Sequence, residues 1–135
     1  MQETYADKDV AECAVRLNRE AYKVVSDSGI RLQSLPSYPK ERLESFVNMP
    51  IPQAAGLLSM VMTGLSSEPL YGSILQSIKR GKRSEIDYIN GEIVRLADEN
   101  GLVVPLNRTI VSMVHRVEKT GQFMAKEDFL KVFFE

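Results

Sequence analysis

Ser84-Glu85-Ile86-Asp87-Tyr88-Ile89-Asn90-Gly91-Glu92-Ile93-Val94-Arg95-Leu96-Ala97-Asp98-Glu99-Asn100-Gly101 is the stretch that decides the fold. Ile86, Ile89, Ile93, Leu96 and Ala97 recur at spacings that place them on one side of an amphipathic helix. Ser84 stands where an N-cap belongs, with Asp87 in a capping-box position and Glu85 in the first turn, where the helix dipole favours a carboxylate. Gly101 follows the last turn, where glycine commonly closes a helix.

The same periodicity extends in both directions. From Asp7 to Ser28 the stripe is Val10, Ala14, Leu17, Ala21 and Val24, with Gly29 at the C-terminal end. Pro39 opens a short helix through Asn48, with Leu43, Phe46 and Val47 as its buried side, and Pro50 closes it. Pro52 suits the first turn of a helix in which Ala54, Ala55, Leu57, Leu58, Met60, Val61 and Leu65 leave almost no polar face. A helix apolar nearly all round is expected at the centre of the fold. The next element is predicted from Ser67-Glu68-Pro69 to Arg80, with Leu70, Ile74 and Ile78 inward and Gly81 ending it. Downstream, Val103-Val104-Pro105-Leu106 reads as an extended link. Asn107 then caps a helix carrying Ile110, Met113, Val114 and Val117 to Thr120, and a last short helix spans Glu127 to Phe134. No window alternates as a strand does, so the class is all-α, a multi-helix domain of about six helices.

A length of 135 residues fits one domain, here 1–135, and 44% hydrophobic with 26% charged residues is the composition of a globular chain. Seventeen Lys and Arg against eighteen Asp and Glu give a formal charge of -1, which builds in no global attraction to nucleic acid or anionic lipid. One cysteine and one histidine exclude an internal disulfide and the usual structural zinc sets. The residues from Met1 to Asp7 lack the pattern of a signal peptide, and the apolar run from Ile51 to Leu65 is too short and too interrupted to span a bilayer. The expected location is cytoplasmic, with no membrane partner.

Few residues carry chemistry on their own. His115 lacks an evident orienting partner and reads as a surface or half-buried structural residue. Cys13 adjoins the buried stripe and reads as an inert core thiol, and Met60, Met62 and Met113 as packing residues. Lys79, Arg80, Lys82 and Arg83 are compatible with a solvated helix end or with an anion site at the following helix N-terminus. They lack the interleaved aromatics of a nucleic-acid platform. Glu85 likewise has two readings: a helix-start carboxylate, or an acceptor for a substrate or cofactor hydroxyl.

The run Gly72-Ser73-Ile74-Leu75-Gln76, then Lys79-Arg80-Gly81-Lys82-Arg83-Ser84-Glu85-Ile86-Asp87-Tyr88-Ile89-Asn90-Gly91, then Gly101 to Asn107, resembles the C-terminal domain of ketopantoate reductase (2-dehydropantoate 2-reductase). That family writes the region as Ser-Met-x-Gln-Asp, a basic-Gly spacer, Thr-Glu-Ile-Asp-x-Ile-Asn-Gly and Gly-x-x-x-Pro-x-Asn. The likeness spans roughly residues 10 to 120, with Ser84, Ile74 and Ser77 standing where the family often has Thr, Met and Asp.

The resemblance implies a helical domain like the C-terminal domain of 6-phosphogluconate dehydrogenase, packed on an N-terminal NADP-binding Rossmann domain. In such enzymes of pantothenate biosynthesis, hydride passes from NADPH to a 2-oxo acid and gives the 2-hydroxy acid. It further implies that Ser73 binds the substrate near its carboxylate. Glu85 would be the catalytic-site carboxylate that touches substrate and cofactor and helps place the general acid. The family's catalytic lysine helix, Lys-x-x-x-Asn-x-x-x-Asn, finds no match at Lys8, and the chain has no Gly-x-Gly-x-x-Gly after a strand. The expectation is therefore a C-terminal substrate-binding and interaction domain without the Rossmann domain, not catalytic alone, with NADP bound only alongside that missing domain. The alternative is a non-catalytic helical module that pairs with itself or with a Rossmann partner chain.

Overall fold

The computed structural model describes residues 2–68 and 70–134 and is all-α. Among the described residues there are eight helices: α1 (Gln2–Ala6), α2 (Lys8–Asp27), α3 (Lys40–Asn48), α4 (Ile51–Thr63), α5 (Ser73–Lys79), α6 (Ile86–Glu99), α7 (Pro105–Thr120) and α8 (Lys126–Phe134). The extended pairing among them is a single isolated bridge between Leu35 and Tyr38. The helix count exceeds the expected six partly because α1 is too short to show a period. Asp7 separates α1 from α2 by accepting the N–H groups of Asp9 and Val10 at 3.1 and 3.3 Å.

The central element is α2, which corrects the expectation for α4. Helix α2 packs against α1, α3, α4, α6, α7 and α8. Its Ala11 and Val15 are sealed against Ala54 and Ala55 of α4. Small side chains at this crossing let the two helices approach closely and bury their facing surfaces completely. The outer face of α4 stays open, with Met60 65% and Val61 49% exposed, and Leu65, just past its C-terminal end, is 52% exposed. Apolarity on all sides of α4 therefore marks one packed face and one unpartnered face. A second cluster joins Val24 of α2 to Ala97 of α6 and Val104, which precedes α7.

Three helix starts differ from the sequence reading. Helix α5 begins at Ser73, not near Ser67, because the Glu68 N–H folds onto the Ser66 hydroxyl at 3.0 Å and Gly72 supplies an extended N-cap. Pro69 lies outside the described residues. Helix α7 begins at Pro105, whose fixed φ suits a first turn. Asn107 thus lies inside that turn and is not its cap. Helix α6 begins at Ile86 with Glu85 as N-cap, and neither Ser84 nor Asp87 forms the expected capping box. The Ser84 N–H that the box requires is taken by Glu118 of α7 at 2.6 Å.

Candidate functional site

Ser73 and Glu85 lie twelve positions apart and meet in space. The Ser73 hydroxyl, at the first position of α5, donates to Oε1 of Glu85, the N-cap of α6. Both side chains are exposed. The connection between them turns back at Gly81, whose φ of 65° lies in the left-handed region. A hydroxyl and a carboxylate at two adjoining helix N-termini form a polar pair that can donate to one oxygen and accept from another. The backbone N–H groups of both first turns add positive potential around it.

An apolar cavity lies on another face of α5. Ile74, next to Ser73, lines this cavity of about 430 Å³ with Leu75, Ile78, Ile110, Met113 and Val117. The lining also takes in Phe123, Phe129 and Lys126, and neither Ser73 nor Glu85 belongs to it.

The basic cluster surrounds the turn without converging on one point. The Lys79 ammonium sits 4.2 Å from the centroid of the Tyr71 ring, and Arg83 lies 3.7 Å from Asp87 while largely exposed. These contacts fit solvated helix-end cations. His115 is half-buried, with Nε2 2.8 Å from Oδ1 of Asp87 in the first turn of α6 but without hydrogen-bond geometry. Cys13 is 1% exposed, and burial pushes its thiol up to about 11, as expected of an inert core residue. Among the described residues no cluster of His, Cys, Asp and Glu has the form of a metal site, and no helix is long and apolar enough to cross a membrane.

Two carboxylates take roles that the sequence reading did not assign, Glu20 having entered it only as part of the weaker family likeness. The Ser84 backbone and hydroxyl bonds to Glu118 hold its carboxyl below the usual carboxylate range. Its only sequence signal is the three-residue spacing from His115, which puts both on one side of α7. Glu20, from the middle of α2, caps α7 by accepting the N–H groups of Leu106 and Asn107 at 2.9 and 2.7 Å. A cap supplied from so far away in sequence leaves no local pattern.

Comparison with known proteins places this geometry in context. The family model described as "Ketopantoate reductase PanE/ApbA C terminal" matches residues 1–118. Among similar proteins, the 2-dehydropantoate 2-reductase of Archaeoglobus fulgidus is 46% identical over 46 residues, covering 34% of this chain and 16% of that protein. The 2-dehydropantoate 2-reductase of Pyrococcus horikoshii is 47% identical over 51 residues, covering 38% and 17% respectively. That of Shigella flexneri is 46% identical over 46 residues, covering 34% and 15%. The matched stretch thus spans about one-sixth of these relatives' length. No solved structure matches the chain significantly. With the family match running over most of its length, the chain belongs to the ketopantoate reductase C-terminal domain family.

Proposed function

We propose that the chain, as one domain over residues 1–135, is the substrate-side helical domain of a ketopantoate-reductase-like oxidoreductase. The whole enzyme reduces 2-dehydropantoate or a similar 2-oxo acid to its 2-hydroxy acid with NADPH. The single observation that carries this reading is the hydrogen bond from Ser73 to Glu85. In the reading, the Ser73 hydroxyl donates to the substrate carboxylate. Glu85 accepts from the hydroxyl side of substrate or cofactor and helps orient the proton donor.

The described residues do not fit NADP as a complete site. Among them no strand leads into a helix, so the phosphate cradle of a strand-turn-helix unit is not theirs to supply. Glu85 offers the cofactor a hydroxyl acceptor only. Binding of the dinucleotide, and the catalytic lysine, fall to an N-terminal Rossmann domain or partner chain. A cytoplasmic location goes with this reading.

A second reading, a helical pairing module without chemistry, draws support from the open face of α4 around Met60 and Val61, continued by Leu65 past its end. That face suits a Rossmann partner or a second copy in a homodimer.

Titration of the labelled chain with pantoate, followed by NMR, tests the first reading. The expected result is saturable shifts at Ser73 and Glu85, abolished by Ser73→Ala, with no NADPH consumption by the chain alone when 2-dehydropantoate is added. Absence of shifts, together with a dimer by sedimentation that Met60→Asp dissolves, favours the second reading.

A further inference from the structure

The N-terminus of α6 is held in an unusual way. Its N-cap, Glu85, makes no side-chain bond to its own helix, and the Ser84 hydroxyl accepts the Ile86 N–H only at 3.4 Å. The firm contact comes from α7. Glu118 accepts the Ser84 N–H at 2.6 Å, whereas His115 Nε2 lies 2.8 Å from the Asp87 carboxylate without hydrogen-bond geometry. Ser84 and Asp87 flank Glu85 in sequence, whereas His115 and Glu118 share one side of α7. The residue that precedes Glu85 is therefore held from a neighbouring helix.

We propose that Glu118 is a positioning residue for the Ser73–Glu85 pair: by accepting the Ser84 N–H it fixes the backbone entering α6 and leaves the Glu85 carboxylate free to face Ser73. The inference rests on the reading of that pair as the substrate contact. The anion that favours the α6 N-terminus comes from α7, so Glu85 is not needed as a cap. A charge-assisted bond to a backbone N–H is short and strong, which suits it to set one orientation of the following residue. The Glu118 carboxyl, held below its ordinary value by the Ser84 bonds, remains charged at neutral pH.

NMR of the labelled chain tests this without substrate. Glu118→Ala is expected to move the Ser73 amide and the Glu85 carboxyl resonance. Glu118→Gln, which keeps an oxygen for Ser84, is expected to restore most of both. Glu92→Ala on the exposed side of α6 serves as the charge control. Pantoate affinity is expected to fall roughly tenfold in Glu118→Ala and to recover in Glu118→Gln. Unmoved Ser73 and Glu85 signals in Glu118→Ala, or equal movement in Glu92→Ala, overturn the proposal. If Glu118→Ala does not fold, Glu118→Asp, which withdraws the carboxylate by one methylene, is read by the same resonances. If the unmodified chain binds no pantoate, the substrate reading fails while the resonances still decide the role of Glu118.

Discussion

Oε2 of Glu20 accepts both the backbone N–H and the side-chain amide of Asn107, each at 2.7 Å. The Asn107 carbonyl oxygen in turn accepts from Asn90 of α6 at 2.9 Å, and its amide also reaches the Leu17 carbonyl at 3.3 Å. Asn107 is 1% exposed. One buried amide thus joins α2, α6 and α7, and the carboxylate beside it satisfies N–H groups that the first turn of α7 would otherwise leave free.

Asn107→Ala is expected to destabilise the fold by roughly 1–3 kcal/mol, because it strands the partly buried Asn90 and one side of Glu20. Asn107→Asp is expected to cost more, since it sets a second carboxylate against Glu20. Urea unfolding of the three proteins provides the measurement. Equal midpoints for Asn107→Ala and the unmodified chain would contradict the network's role.

Ala54 is fully buried where α4 crosses α2, whereas Met60 on the same helix is 65% exposed. Ala54→Leu is expected to cost roughly 1–3 kcal/mol by forcing α4 away from Ala11 and Val15. Met60→Ser is expected to stay within about 0.5 kcal/mol. Reversal of that order in denaturant unfolding would mean that the outer face of α4 is the packed one.

The helices α2, α6 and α7 were legible in the sequence from their three-and-four spacing, but the exact buried face was not: Val24, Ile86 and Ala97 are buried as expected, whereas α2 seals its core through Ala11 and Val15 outside the predicted stripe and Ile89 is 49% exposed. Nor was the depth of α4 legible, since composition cannot say how many neighbours surround an apolar helix. Helix starts were misread where the cap came from elsewhere in the chain. Ser84 has the chemistry of an N-cap, but its N–H is claimed by Glu118; Asn107 has it too, but lies buried inside the first turn. Glu85 stood out from its place at a helix start beside a basic cluster, whereas Ser73 was singled out only through family resemblance, because an exposed polar residue leaves no periodic trace. Their meeting is a tertiary fact.

Cys13 is expected to be inert in the folded chain. Burial leaves it 1% exposed and pushes the thiol up to about 11, so at mildly alkaline pH its thiolate fraction is about a hundredfold below that of an ordinary thiol. A colorimetric thiol reagent should react with one equivalent in denaturant and almost none in buffer over the same time. Rapid labelling of the native protein would show that the core around α2 opens readily.

Acid should weaken the fold through two carboxylates whose folded values are lowered. Bonds from Ser84 lower that of Glu118, and the hydrogen bond from Lys126 is the largest cause for Asp7. A lowered folded value means that the group's stabilisation is fully present above its ordinary value, 4.5 for Glu118 and 3.8 for Asp7. It is lost as pH falls through the folded value. Glu118→Gln removes one of these titrations. Its stability deficit should therefore be constant from neutrality to about pH 4.5 and shrink in more acidic solution, where the native carboxyl is protonated too. Urea midpoints for both proteins across that range give the answer. A deficit that persists unchanged at the acid end would mean that Glu118 contributes through packing, since its charge would by then be gone from both curves.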